Sequence, residues 1–283
     1  MLRREDVTQL WFTEKFTDNL ALSLRVKETI HREKSPFQQI EVVETYQFGR
    51  VLLLDGVIQT TTVDEFVYHE MIAHVALSAH PAPKRVAVVG GGDGGTVREV
   101  LKHDTVELVR LIEIDEAVVR VSQKYLPEIA CGLQDPRVEI AIADGIAHMA
   151  EVTDEYDVVL VDSTDPVGAA AGLFSKEFYQ SVHRALKPEG IIVAQTESPW
   201  TEPGIIKRVQ RALGQVFPQV YLYLCNIPAY PNGMWGFSIG SKVHDPRKPR
   251  RQNLSFSTKY YTPAIHEAAF LLPPFVQEIL NTD

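Results

Sequence analysis

The sequence predicts an α/β chain: a Rossmann-like, mostly parallel sheet with an antiparallel last strand, preceded by a small N-terminal β-sheet. Three observations carry this. Apolar runs and helix-like stretches alternate from Arg85 to Gly240, and near-continuous apolar strands separated by helices mark a parallel sheet covered on both faces. Between the strand Arg85 to Val89 and the helix-like stretch Thr96 to His103 lies Gly90-Gly91-Gly92-Asp93-Gly94-Gly95. A strand, a glycine turn and a helix N-terminus form the cradle in which such sheets hold nucleotide-like ligands. Finally, 283 residues with 45% hydrophobic content suffice for one sizeable core and a small appended unit.

Residues 1–61 read as an N-terminal β-strand domain. Leu20 to Ile30, Phe37 to Tyr46 and Val51 to Leu54 alternate in part, with turns at Ser35-Pro36, Phe48-Gly49 and Asp55-Gly56. Such a sheet packs on the main domain or pairs subunits. Residues 62–283 read as the Rossmann-like catalytic domain with a C-terminal extension. Thr62-Val63-Asp64-Glu65 is a capping-box pattern opening a helix from Val63 to Ala79, ended by Pro81 and Pro83. Strands follow at Glu107 to Glu113, Val138 to Ala143, Tyr156 to Asp162 and Gly190 to Gln195. Helices fall between them at Asp115 to Leu126 and Ser175 to Leu186, and then at Pro203 to Phe217. The short link from Ile227 to Met234 predicts that the last two strands (Val220 to Ile227, Trp235 to Gly240) pair antiparallel, as in class I methyltransferase-type sheets. In the tail, Pro273 and Pro274 interrupt a helical stretch near Ile265 to Leu272.

Charge narrows the function. With 37 acidic against 28 basic residues the formal net charge is -9, which disfavours nucleic acid as a partner because phosphate neutralisation needs clustered Lys and Arg. The one basic cluster, Arg247 to Arg251, reads as a solvated linker. No stretch approaches the roughly 20 apolar residues of a membrane span, and the start Met1 to Asp6 lacks an apolar segment after its basic residues. Cys131 and Cys225 have no metal-type spacing and read as buried, reduced filler. The expectation is a cytoplasmic enzyme with no metal and no prosthetic group.

The acids indicate the ligand's sign. Open parallel sheets bind ligands at the carboxyl ends of their strands. Asp93 lies in the first such loop, Glu113 ends the second strand, Asp144 follows the third before Gly145, and Asp162 and Asp165 follow the fourth. Each alone has a structural explanation, as helix cap, turn former or solvated strand end. Five at one rim repel unless a cation sits among them. A metal site would add histidine or a tighter cluster, whereas acids spread over four strand ends suit an extended organic cation. Asp93 also disfavours a dinucleotide, whose pyrophosphate would meet a negative charge.

The chain resembles the spermidine synthases, a family of aminopropyltransferases, along nearly its whole length. The resemblance rests on Leu10-Trp-Phe-Thr-Glu14, Leu54-Asp-Gly-Val-Ile-Gln59, Asp64-Glu-Phe-Val-Tyr-His-Glu70, Gly90 to Gly95, Glu113-Ile-Asp115, Asp144-Gly145, Asp162-Ser-Thr-Asp-Pro-Val-Gly168 and Ile227-Pro-Ala-Tyr-Pro-Asn-Gly233. It implies transfer of an aminopropyl group from decarboxylated S-adenosylmethionine, as co-substrate, to putrescine, and a homodimer or homotetramer. It implies that Asp93 holds the donor's amine, Glu113 its ribose, Asp144 its adenine, and that Gln38, Gly90, Ile114 and Gly145 lie along the nucleoside. Gln59, Tyr68 and His69 would line the channel to the acceptor, Asp165 and Tyr230 would orient the diamine, and Asp162 would be the catalytic proton acceptor. For the histidines His69 and His74, packing on a helix stands beside any role at the channel. Trp200 and Trp235 read as wall and core residues.

The chemistry agrees with the charges. Donor and acceptor are both cationic, and S-adenosylmethionine itself keeps a carboxylate that would face Asp93 as a like charge. An attacking alkylamine with a pKa near ~10.4 must lose its proton to a carboxylate near ~3.9, a gap of roughly 9 kcal/mol in water that the site must shrink. In the family Gly168 is usually followed by proline, but here Ala169-Ala170-Ala171 follow, which predicts a less ordered covering loop. Other acceptors (cadaverine, agmatine, spermidine), a polyamine N-methyltransferase and a non-catalytic polyamine-binding protein are the alternatives.

Overall fold

A computed structural model describes residues 8–164 and 168–281. The N-terminal sheet has five antiparallel strands in sequence order: β1 (Leu10–Thr17), β2 (Leu20–Lys34), β3 (Gln39–Thr45), β4 (Arg50–Leu54) and β5 (Val57–Thr61). The sequence predicts three of them. The two it misses are β1, where Glu14 is the single buried position, and β5, which follows the Asp55-Gly56 turn directly; β2 slips register twice against β3.

The second part alternates α1 (Glu65–Ala79), β6 (Arg85–Gly90), α2 (Gly95–Leu101), β7 (Leu108–Glu113), α3 (Glu116–Tyr125), α4 (Pro127–Ala130), β8 (Val138–Ile142), α5 (Gly145–Glu151), β9 (Tyr156–Asp162), α6 (Lys176–Ala185), β10 (Leu186–Gln195), α7 (Pro203–Gly214), β11 (Gln219–Asn226) and β12 (Met234–Ser241). The tail adds α8 (Pro263–Ala269) and α9 (Pro274–Asn281), and 3-10 turns span Cys131–Gln134 and Gly168–Phe174. Seven strands form one sheet in the order β11-β12-β10-β9-β6-β7-β8. β12 is antiparallel to both neighbours, and β6 to β10 are parallel. This is the expected Rossmann-like sheet.

The strands split their side chains between two cores. Val86, Val88, Leu111, Leu160 and Ile239 pack with α1 and α2 on one face. Ala87, Val89, Ile112, Val159 and Val161 pack with α5, α6 and α7 on the other. Burial on both faces explains the near-continuous apolar runs. Ile40, Val42, Leu52 and Leu54 of the small sheet close over Val118, Val121 and Ile129 of α3 and α4. This packing brings β3 to β5 over the carboxyl ends of the large sheet.

Several expectations need correction. The capping box does not form: α1 starts at Glu65, its cap Asp64 makes no side-chain cap bond, and Thr62 Oγ1 accepts from Arg50 N at 3.1 Å. The Asp64 carboxylate is drawn away by Thr61 Oγ1 at 2.6 Å and Ala229 N at 2.8 Å. Strand β10 begins at Leu186, four residues early, with a register break before Ile191. Pro274 opens α9, its fixed φ suiting a first helical turn. The basic cluster is more strap than linker: Pro246 and Pro249 are buried, Arg247 lies 4.3 Å over the Tyr221 ring, and Arg251 reaches Asp104 at 3.3 Å. Cys131 is exposed, and only Cys225 is buried. Trp200 is likewise exposed, stacked on Phe275 of α9 at 4.5 Å.

Candidate active site

The ends of β6, β7, β8 and β9 meet the small sheet around a cavity of about 540 Å³. Gly90 and Gly91 make its floor possible. Both have left-handed backbone (φ +77 and +69), and a Cβ on Gly90 would lie 2.2 Å from the Asp162 carbonyl oxygen. Only glycine combines that conformation with so close an approach. Gly95 serves the neighbouring wall, where a Cβ would strike the His69 ring at 2.2 Å.

Two partly buried carboxylates face each other across this floor. Asp162 accepts from Tyr68 Oη at 2.7 Å and Thr96 Oγ1 at 2.6 Å. Burial and then the Asp93 charge push its carboxyl above the usual range, against the His69 charge and these two donors. Asp93 accepts from Gly95 N at 2.8 Å and faces His69 Nε2 at 3.4 Å. Burial alone would raise it, but the His69 cation and the backbone donor outweigh burial and hold it below its ordinary value. Like charges in one buried site part in just this way, one group easily ionised and the other a ready proton acceptor.

The nucleoside side is built from β7, β8 and the small sheet. Glu113 is buried at the end of β7, accepts from Asp115 N at 2.9 Å, and is pushed up by burial to about 7. Asp144 caps α5 through Ile146 N at 2.8 Å and still lines the cavity, so the capping reading holds while one carboxylate oxygen has no role in the cap. Ile114, Gly145 and Gln38 also line it. Gln38 is held by its amide, which donates to Asp115 Oδ2 at 3.0 Å, and Ser35 Oγ donates to the same oxygen at 2.6 Å. Asp115 meanwhile caps α3 through Ala117 N at 3.1 Å. One buried acid thus ties the small sheet to the large one beside the cavity.

At the other end Gln59, Tyr68, His69 and Tyr230 line the cavity. The Tyr230 hydroxyl donates to the Gln59 carbonyl at 2.6 Å, and its ring stacks edge-on against Trp235 at 4.6 Å. Trp235 is the buried wall expected of it. Asp165 lies outside the described residues. Ala170 and Leu173 of the 3-10 turn reach the cavity from above. His74 does not; it is buried between Glu99 and His103, 3.0 Å from each.

Sequence reasoning missed polar lining residues that include Glu14, Gln195 and Glu197. Glu197 follows the carboxyl end of β10, buried and with left-handed backbone at φ +70. The strand-end rule that found the other acids finds it too. Glu14 gives no such signal. It is an inward residue of β1, accepting from Ile58 N at 2.9 Å, and reaches the site only through long-range strand pairing.

Comparison with known proteins decides the lineage. Residues 65–249 match the spermine/spermidine synthase domain, and residues 10–62 match the spermidine synthase tetramerisation domain. The chain belongs to this family. It is an enzyme, an aminopropyltransferase. It is 57% identical over 273 residues to a polyamine aminopropyltransferase of Moorella thermoacetica, covering 96% of each chain. It is 50% identical over 276 residues to that of Bacillus subtilis, covering 97% of this chain and all of the other. A crystal structure of spermidine synthase with the transition-state analogue AdoDATO superposes with TM-score 0.95 at 41% identity, covering 99% of this chain and 98% of that one. The spermidine synthase of Thermotoga maritima gives TM-score 0.92 at 40% identity, covering 99% and 97%. Among the described residues no helix is long and apolar enough to cross a membrane.

Proposed function

We propose that the enzyme transfers the aminopropyl group of decarboxylated S-adenosylmethionine to putrescine, giving spermidine and methylthioadenosine. The observation that carries this reading is the carboxylate lining of one cavity, which includes Asp93, Asp162, Glu113, Asp144, Glu14 and Glu197. Such a lining balances a sulfonium and three ammonium groups. Glu113 takes the ribose hydroxyls, Asp144 the adenine amino group through its free oxygen, and Gln38 with Gly90, Ile114 and Gly145 flank the nucleoside. Asp93 holds the donor's amine. Gln59, Tyr68, His69 and Tyr230 form the channel, and Asp165 with Glu197 and Glu14 takes the acceptor's far ammonium.

The neutral acceptor nitrogen attacks the carbon beside sulfur. The C–N bond forms as the C–S bond breaks, the C–S electron pair stays on sulfur, and methylthioadenosine leaves. The proton lost from nitrogen passes to Asp162. Burial that raises the Asp162 carboxyl narrows its gap to an alkylammonium, and alignment of the two reactants in one channel supplies much of the remainder. The test is an acceptor panel of putrescine, cadaverine, agmatine and spermidine with the decarboxylated donor, products identified by mass. Putrescine should be the preferred acceptor; no transfer to any of the four would defeat the reading.

Glu113 gives a pH prediction. Its folded value of about 7 lies above the ordinary 4.5, so the fold binds its proton more tightly than the unfolded chain does. The associated stability is full below 4.5 and is lost as pH rises through about 7. Glu113→Gln should therefore raise Tm near pH 8 by a few degrees, from about 1–3 kcal/mol. It should also weaken donor binding by about tenfold, since the ribose loses a charged acceptor. A lower Tm at that pH would contradict the burial argument.

The enzyme is proposed to assemble as a homodimer or homotetramer through the small sheet and to work in the cytoplasm. Trp11, half exposed and paired with Arg25 across β1 and β2, marks the outer face. Trp11→Asp should lower the assembly mass measured by light scattering, and an unchanged mass would place the contact elsewhere.

A further inference from the structure

Behind the cavity wall runs a line of charged side chains that the transfer reaction does not use. Glu65, in the first turn of α1, takes two donors on one oxygen: His69 Nδ1 at 2.5 Å and Arg98 Nη2 at 2.7 Å. His69 turns its other nitrogen toward Asp93 Oδ2 at 3.4 Å. Arg98 continues through Nε to Glu99 at 2.8 Å. Glu65 and His69 are both buried, and neither Glu65 nor Arg98 lines the cavity.

The hydrogen-bond inventory fixes the ring's state. A neutral imidazole has one N–H and one lone pair, so it would turn a lone pair toward one of its two carboxylates. Only the imidazolium presents an N–H to both, a hydrogen bond to Glu65 and a charge contact with Asp93 at 3.4 Å. Burial favours the neutral ring, yet Asp93 and Glu65 together outweigh it and raise His69 to about 10. The groups facing the ring are Glu65 from its own helix, Asp93 from the glycine loop, Asp162 from the end of β9 and the Tyr68 ring edge at 5.4 Å, with Arg98 behind Glu65. The ring is also fixed in place, because it fills the space that Gly95 leaves open.

We propose that Glu65, backed by Arg98, is a positioning residue for the transfer reaction: it holds His69 as a fixed cation against Asp93, so that Asp93 is ionised and aimed before the donor's amine arrives. The inference rests on the reading of Asp93 as the amine's holder. Two carboxylates facing each other in a buried site would otherwise share a proton. A cation of the protein's own, set between helix and loop, keeps both charged in the empty cavity. Without the Glu65 charge the ring loses a counter-ion and becomes neutral near pH 7. Asp93 and Asp162 then hold a proton to higher pH, and the acid limb of the rate profile moves upward.

The test has a ligand-free arm and a kinetic arm. In the ligand-free wild-type enzyme, the His69 resonance (assigned by its loss in His69→Gln) should show a protonated ring through about pH 8. Titration near the ordinary 6.5 would overturn the proposal even if no variant folds. Glu65→Gln should bring His69 titration down to about pH 7, raise donor KM about tenfold, leave kcat within about twofold and move the acid limb up by about one unit. Glu65→Asp, which keeps the charge, should retain the parent's profile. A Glu65→Gln enzyme with the parent's His69 titration overturns the proposal. If His69 titration falls but donor KM stays, Glu65 does govern the ring, and the failure belongs to the reading of Asp93.

Discussion

Asp162→Asn is expected to lower kcat by about 10²–10⁴-fold, the usual range for loss of a positioned general base. The substitution spares the surroundings. Asn Oδ1 still accepts from Tyr68, and its amide can donate to the Thr96 hydroxyl in place of accepting from it. What disappears is the group that takes the attacking amine's proton. Both KM values should move little, because the far ammonium and the nucleoside are held elsewhere. Stability should not fall: the fold raises the Asp162 carboxyl, so the ionised form is a burden near pH 8 that the neutral amide removes. An enzyme that unfolds earlier and loses activity in proportion would mean that Asp162 is structural. Turnover within a few-fold of the parent would mean that the proton leaves by another route.

Asp93→Asn should weaken binding of the decarboxylated donor by about 10–100-fold, matching about 1.5–3 kcal/mol for a hydrogen bond to a charged partner. The same change should narrow discrimination against S-adenosylmethionine, because the cofactor's carboxylate would no longer meet a like charge. The size of the effect is tied to His69. With Asp93 neutral, the ring loses the larger of its two counter-charges and keeps only Glu65. Calorimetric titration of both compounds into parent and variant measures the effect, and an unchanged ratio of affinities would remove Asp93 from the selectivity argument.

The large sheet was legible because its central strands are buried on both faces. The predicted and observed bounds of Tyr156 to Asp162 coincide, and those of β6 and β7 differ by one residue. The small sheet was harder to read. β1 stands mostly in water, with Glu14 its single buried position, so its order lies in pairing rather than in pattern. The acid rim was legible from one rule, that ligands meet strands at their carboxyl ends. That rule placed Asp93, Glu113, Asp144 and Asp162 around one cavity. Residues that arrive from other elements were not legible in the same way. Glu14 needs the β1 to β5 sheet folded over the site. The contact of His69 with Asp93 needs α1 laid against a glycine that yields room. Asp115 showed only as the start of a helix, because Ser35 and Gln38 lie about 80 residues away in sequence.

The central claim is that a carboxylate-lined cavity is matched to a donor bearing an ammonium and no carboxylate. Equilibrium binding of decarboxylated S-adenosylmethionine and of S-adenosylmethionine to the unliganded wild-type enzyme tests this most directly. The account predicts tighter binding of the decarboxylated compound by at least about tenfold near neutral pH, with the ratio shrinking as pH falls and the carboxylates gain protons. Equal affinities at neutral pH, or a preference for the carboxylate-bearing cofactor, would contradict it.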